Sequence, residues 1–194
     1  VVDGVTWRND QKSSEPALSL LSQALKQNRR PLAQGLPPFQ GGYAGYIAYD
    51  FGARLEPKAK IGPFPARGPE LMLHRFDCGI AFDHLQERAW IVNSGQADTA
   101  DALEQMLERS PVLQGLSSIS GWQSNFTREA YEAAVARTRE YILAGDIFQA
   151  NISQCFSAPI PEGFDALAFY GKLRAANPAT FAAFLDYGDV QIVS

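Results

Sequence analysis

The stretch Gly145-Asp146-Ile147-Phe148-Gln149-Ala150-Asn151-Ile152-Ser153-Gln154 decides how the chain is read. Upstream of it, Thr127 stands as a helix N-cap with Glu129 in the first turn, and Tyr131, Val135, Thr138 and Ile142 share one helical face. Gly145 is the C-terminal stop. The pattern then changes from helical spacing to a period of two, which predicts a strand over 147–156 with Phe148, Ala150 and Ile152 on one face and Gln149, Asn151 and Ser153 on the other. A buried polar face needs hydrogen-bond partners, and a polar ligand is one possible source of them; an exposed face carries no such meaning.

Downstream, 165–176 has a helical pattern ended by Asn177-Pro178, and Thr180–Tyr187 with Asp189–Val193 form a hairpin pattern around Gly188. Upstream, Leu18, Leu21 and Leu25 mark a short amphipathic helix within 15–28, which Pro16 opens. Residues 30–40 are turn-like and lead into Gly41-Gly42-Tyr43-Ala44-Gly45-Tyr46-Ile47-Ala48-Tyr49-Asp50, read as a glycine-rich buried strand. Four prolines and two glycines between Pro57 and Pro69 make that segment an exposed loop. Residues 71–83 and 87–92 are read as a hairpin joined by His84-Leu85-Gln86, and 98–109 as a helix presenting Leu103, Met106 and Leu107. Serines and glycines over 116–121 mark a linker, giving an N-terminal region 1–116 and the start of a second region, 122–194. The expected class is α+β, with antiparallel sheets packed against helices.

Composition narrows the function. The 194 residues are 46% hydrophobic and 20% charged, as in a globular domain with a core of its own. Net charge is −4, and apart from Arg29-Arg30 no basic cluster exists to track phosphates, which argues against nucleic acid. No apolar run approaches the roughly 20 residues that span a bilayer, and no secretion signal opens the chain, so the expected compartment is the cytoplasm. Cys78 and Cys155 lie far apart in apolar segments and read as buried free thiols. His74 and His84 lack the companions of a metal site and read as structural or surface residues. An opening Val1 and a closing strand pattern, Val190-Gln191-Ile192-Val193-Ser194, are the marks of a fragment.

Hydrolase elbows, phosphate loops and zinc motifs are absent from the sequence. Gly41-Gly42-x-x-Gly45 is a poor dinucleotide loop, because its third glycine comes too early; glycines that admit a close neighbour are the better reading. Asn177-Pro178-Ala179-Thr180-Phe181 forms a rigid turn with spare backbone groups beside an aromatic ring, able to hold a small ligand or simply to end a helix.

Together these motifs resemble the chorismate-binding enzyme family, in particular the large components of aminodeoxychorismate synthase and anthranilate synthase. The resemblance is carried by 41–50 with Arg54 and Glu56, by Ile80-Ala81-Phe82-Asp83-His84, by Phe126-Thr127-Arg128-Glu129-x-Tyr131 leading into 145–154, and by Asn177-Pro178, all in the family's order. It implies an anthranilate synthase component I-like fold and an enzyme that binds chorismate with Mg2+. It further implies that a ring hydroxyl is replaced by an amino group, with ammonia supplied by a glutamine amidotransferase. The family's metal-binding glutamates and acid/base residues match no position here, so no catalytic residue and no metal ligand is carried over.

The family's tryptophan-holding turn is matched by Asn177 and Pro178, with Phe181 keeping an aromatic, while Thr180 and Ala182 replace a proline and a methionine. Tryptophan is therefore a candidate ligand of a tryptophan-type pocket at Asn177, Pro178, Thr180 and Phe181, and the Glu-Ser element of the family's other pocket wall has no match. These departures favour the aminodeoxychorismate branch of para-aminobenzoate and folate synthesis over the anthranilate branch, with the isochorismate and salicylate branch third. A stand-alone ligand-binding module is the reading from another class; its mark would be a natural stop at Ser194, which would leave an apolar strand edge unpaired.

Overall fold

The computed structural model describes residues 1–59, 68–108 and 118–194. The chain divides into two compact units, Val1–Pro111 and Val112–Ser194. Both are built of helices and antiparallel strand pairs, as the α+β expectation holds, and among the described residues every pairing is two-stranded.

The first unit opens with a hairpin that no sequence signal above anticipated, β1 (Thr6–Arg8) against β2 (Gln11–Ser13). Its Asn9-Asp10 turn has φ of 49° and 60°, the left-handed pair that a two-residue hairpin turn requires and that Asn and Asp tolerate. Helix α1 (Ala17–Gln27) begins after Pro16 and ends where the Asn28 side-chain amide donates to the Ala24 carbonyl at 2.8 Å and to the Tyr43 hydroxyl at 3.2 Å. That second bond ties α1 to β3 (Gly42–Ile47), which is half-buried rather than buried, with Ile47 exposed. A two-stranded ribbon cannot cover both of its faces. The 3-10 turn Tyr49–Phe51 follows, buries Phe51, and leads into the short helix α2 (Gly52–Leu55). Of the expected loop 57–69, residues 60–67 lie outside the described residues.

The run 71–83 is two strands, not one. β4 (Leu71–Phe76) pairs back onto β3 over its whole length, while β5 (Cys78–Asp83) pairs with β6 (Arg88–Asn93). The corner is Asp77: its carbonyl accepts from the Ser94 amide at 2.7 Å and from the Ser94 hydroxyl at 3.0 Å, and its carboxylate accepts from Arg75 at 2.5 Å. One polar residue with three bonds fixes the break in an otherwise continuous apolar pattern. The β5–β6 turn forms at His84–Glu87, where the Asp83 carboxylate accepts the amides of Leu85 and Gln86 at 2.9 Å each. Helix α3 (Ala97–Leu107) packs on β5 and β6; Leu103 is half-buried, Met106 and Leu107 are exposed, and Arg109 lies outside the described residues.

In the second unit, β7 (Gln123–Ser124) pairs with β8 (Phe156–Ser157), and α4 (Arg128–Ala144) lies between them in sequence. Leu116 and Ser117 of the expected linker are outside the described residues, and 118–121 has no regular structure. Both ends of α4 are closed as its sequence predicts: the Thr127 hydroxyl accepts from the Ala130 amide at 3.2 Å, and Gly145 takes the left-handed conformation at φ 81°. Thr127→Ala is expected to cost the second unit about 1 kcal/mol, read as a lowered denaturation midpoint with unchanged slope.

The expected strand over 147–156 is not one. Only Phe156–Ser157 is paired, and among the described residues no backbone–backbone hydrogen bond reaches 147–154. Alternation gives a segment the side chains of a strand, but a ladder also needs a neighbouring backbone, and none of the described segments supplies it. Helix α5 (Ala166–Ala176), capped by the Asp165 carboxylate at 2.9 Å from the Ala168 amide, packs on the hairpin β9 (Phe184–Asp186) and β10 (Gln191–Val193). The Tyr170 and Phe184 rings meet at a tilt, 5.8 Å between centroids, and Ala166 and Ala168 are buried. Cys78 and Cys155 are thiols, half-buried rather than buried. His74 and His84 are exposed, and His84 lies over Phe82 at 6.3 Å.

Candidate functional site

The segment after α4 is positioned by tethers at one end. Asn125 clamps Cys155 by two bonds, its amide to the Cys155 carbonyl at 3.1 Å and its side-chain oxygen to the Cys155 amide at 2.8 Å. The Ser124 hydroxyl meets the Gln154 side-chain oxygen at 3.1 Å, and the Tyr131 hydroxyl donates to the Ile152 carbonyl at 3.3 Å. Phe126 braces Tyr131 edge-on at 5.9 Å. The polar row Gln149, Asn151 and Ser153 is exposed, and none of the three side chains hydrogen-bonds another described residue. Asn125 is the positioning residue that pattern reading passed over, its one signal an Asn two places before a helix cap, and Tyr131, read in the sequence only as part of the α4 face and of the family-like motif, is the other.

The turn after α5 is equally open. The Asn177 amide still bonds the Leu173 carbonyl at 2.8 Å and so finishes the helix, and the Ala182 amide reaches the Ala179 carbonyl at 3.3 Å. Asn177, Pro178 and Thr180 are exposed, and Phe181 is 91% exposed. No hydrogen bond among the described residues joins this turn to the 149–153 row. Nearby in sequence, burial raises the Tyr187 phenol above its ordinary pKa.

In the first unit the glycine-rich motif and the residues after it form a framework. Gly41, at φ 100°, runs so close to its neighbours that a Cβ would sit 2.8 Å from the Ser94 hydroxyl and 3.1 Å from the Phe76 carbonyl. Arg54 pairs with Glu70 through two contacts, Nε to one carboxylate oxygen and Nη2 to the other at 2.6 Å. The Arg54 hydrogen bond, opposed by partial burial, holds the Glu70 carboxyl below its ordinary range. A carboxylate with a depressed folded pKa stabilises above its unfolded pKa, and that contribution disappears as pH falls through about 4.3 and below. Glu70→Gln is therefore expected to cost less than about 1 kcal/mol at pH 7 and to flatten the fall in stability between about pH 5 and 3, measured by denaturation across that range.

Two clefts lie in this unit, neither lined by the residues singled out above as ligand-binding. One, of about 570 Å³, has Arg30, Arg75, Asp77 and Gln96 on its walls; the other, of about 1030 Å³, has Trp7, Leu20, Tyr43 and Met72.

The model of the chorismate binding enzyme family matches residues 3–194, nearly the whole chain. The chain belongs to the chorismate-binding enzyme family. Among members of the family, it is 35% identical to anthranilate synthase component 1 of Thermus thermophilus, with 82% of this chain aligned to 36% of that one. It is 31% identical to aminodeoxychorismate synthase component 1 of Escherichia coli, with 94% of this chain aligned to 40% of that one. The crystal structure of anthranilate synthase component I from Streptococcus pneumoniae superposes with a TM-score of 0.79 at 26% identity, covering 99% of this chain and 46% of that chain. The fold is therefore that of an anthranilate synthase component I. The chain spans less than half the length of the relatives it matches.

For a Mg2+ ion of the kind the family resemblance implies, an oxygen-rich cluster is needed. Among the described residues no three His, Cys, Asp or Glu side chains are gathered to form one, so they do not fit that ion. No helix among the described residues is long and apolar enough to cross a membrane.

Proposed function

We propose that this chain is the N-terminal part of an aminodeoxychorismate synthase component I. In the reaction, ammonia attacks the chorismate ring, a C–N bond forms as the ring C–O bond breaks, and water leaves with 4-amino-4-deoxychorismate as product. The observation that carries this reading is the family match over 3–194 together with motifs in the family's order from Gly41 to Pro178. Ammonia comes from a glutamine amidotransferase in this reading; the relatives' designation as component 1 supports a second component. Residues 1–116 are the N-terminal layer and 122–194 the beginning of the chorismate-binding domain. Mg2+ is held by residues outside this chain, and the enzyme works in the cytoplasm.

The choice of the aminodeoxychorismate branch rests on Thr180 and Ala182, which replace the proline and methionine of the tryptophan-holding turn. Asn177, Pro178, Thr180 and Phe181 are then the remnant of that pocket. Anthranilate synthase is the second reading, favoured by the 35% identity to the Thermus thermophilus protein.

Residues 1–194 alone, given chorismate, Mg2+ and ammonium, are expected to consume no chorismate, whereas the polypeptide that joins them to the rest of the family's length consumes it in an ammonia-dependent way. Loss of chorismate followed by chromatography measures both. Turnover by the 194 residues alone would overturn the placement of the chemistry outside them.

A further inference from the structure

The cleft of about 570 Å³ in the Val1–Pro111 unit is of a size that holds small organic molecules. Arg30 and Arg75 bring guanidiniums to its walls from separate segments, the turn after α1 and strand β4, while Phe76 and Leu103 give it apolar surface. Both guanidiniums are held in place by the protein itself. Arg30 Nη1 donates to the Ser94 carbonyl, and Ser94 is fixed in turn by the bonds from its amide and its hydroxyl to the Asp77 carbonyl, at 2.7 and 3.0 Å. Arg75 donates through Nη1 to the Asn28 side-chain oxygen at 3.3 Å and through Nη2 to the Asp77 carboxylate at 2.5 Å. Long side chains ordered in advance spare a ligand part of the entropy cost of binding.

The charges on these walls do not balance. Asp77 offsets Arg75, whereas no carboxylate among the described residues pairs with Arg30, and Asp77 is the one acidic residue that lines the cleft. A guanidinium with donors to spare matches a carboxylate, which accepts two parallel bonds from its planar fork. The neighbouring apolar surface suits a ligand with more to it than the acid group. We propose that this cleft binds a small organic carboxylate, with the acid group on Arg30 and the apolar body against Phe76 and Leu103. Such a ligand is independent of the synthase chemistry proposed above, and binding alone is read in its test.

Benzoate is the probe, titrated into residues 1–194 and followed by backbone amide chemical shifts. Saturable shifts are expected at Asp77, Ser94 and Gln96. Methyl benzoate, which keeps the ring without the charge, and inorganic phosphate, which keeps a charge without the ring, are each expected to bind at least about tenfold more weakly. Arg30→Gln is expected to weaken benzoate at least about tenfold. Arg30→Lys keeps the charge but not the fork, and is expected to weaken benzoate at least about threefold with an unchanged melting midpoint, so that loss of binding is told apart from loss of fold. Absence of saturable shifts with benzoate, shifts centred away from these residues, or equal binding by both Arg30 variants and the parent chain would overturn the site. Methyl benzoate as tight as benzoate would overturn the role of Arg30, and phosphate as tight as benzoate would overturn the organic ligand.

Discussion

Phe51→Ala is expected to lower the stability of the Val1–Pro111 unit by about 3–4 kcal/mol, among the largest losses a single truncation can give. Phe51 is only 6% exposed, and with Val92 it is one of the two described side chains of that unit that are buried. The turn Tyr49–Phe51 places it: Tyr49 points out, 97% exposed, while the ring two residues on goes in. Removing it takes away the transfer free energy of a whole aromatic side chain and leaves a cavity the short helix α2 is poorly able to fill. Phe148→Ala supplies the contrast, because a ring 92% exposed has little burial to lose and its change is expected within about 0.5 kcal/mol in the isolated chain. Denaturant titration of both variants, followed by tryptophan fluorescence, makes the comparison; equal losses would show that burial of Phe51 is not what holds the unit.

Gly41→Ala is expected to cost about 3 kcal/mol, from two sources that add. The backbone at φ 100° is a conformation that L-residues adopt at a cost of about 1–2 kcal/mol. The new methyl would also press on the Phe76 carbonyl at 3.1 Å, which is backbone in the β3–β4 pair, and on the Ser94 hydroxyl at 2.8 Å, which is held to Asp77 at 3.0 Å. Neither neighbour gives way without breaking a bond, and crowding of that kind costs about 1–3 kcal/mol. A midpoint unchanged by the substitution would mean that the glycine motif's close approach is not a structural requirement.

The parts of the fold that were legible in the sequence are those whose ends are written locally. Helix α4 carries its own start at Thr127 and its own stop at Gly145, and both caps form as expected. The β5–β6 hairpin is likewise announced by a polar turn that Asp83 caps. Strand boundaries were harder where a single polar residue decides them. Asp77 divides two apolar runs that no periodicity separates, because its effect comes from Ser94, seventeen positions away. The β1–β2 hairpin rests on the dipeptide Asn9-Asp10, a weaker turn signal than Asn-Gly, within strands of three residues.

The segment 147–154 failed for a different reason: its alternation is real, but pairing is a property of two backbones. The family was legible because motif order is a feature of the sequence itself. The site geometry was not, since Asn177, Thr180 and Phe181 lie on an open turn and the bonds that position 152–155 come from Asn125 and Tyr131.

The most direct test of the proposed function is the product formed by the polypeptide that carries this sequence, supplied with chorismate, Mg2+ and ammonium. The expected product is 4-amino-4-deoxychorismate, detected as p-aminobenzoate after lyase treatment. Fluorescent anthranilate in its place would contradict the assignment of branch, and no consumption of chorismate at all would contradict the synthase reading itself.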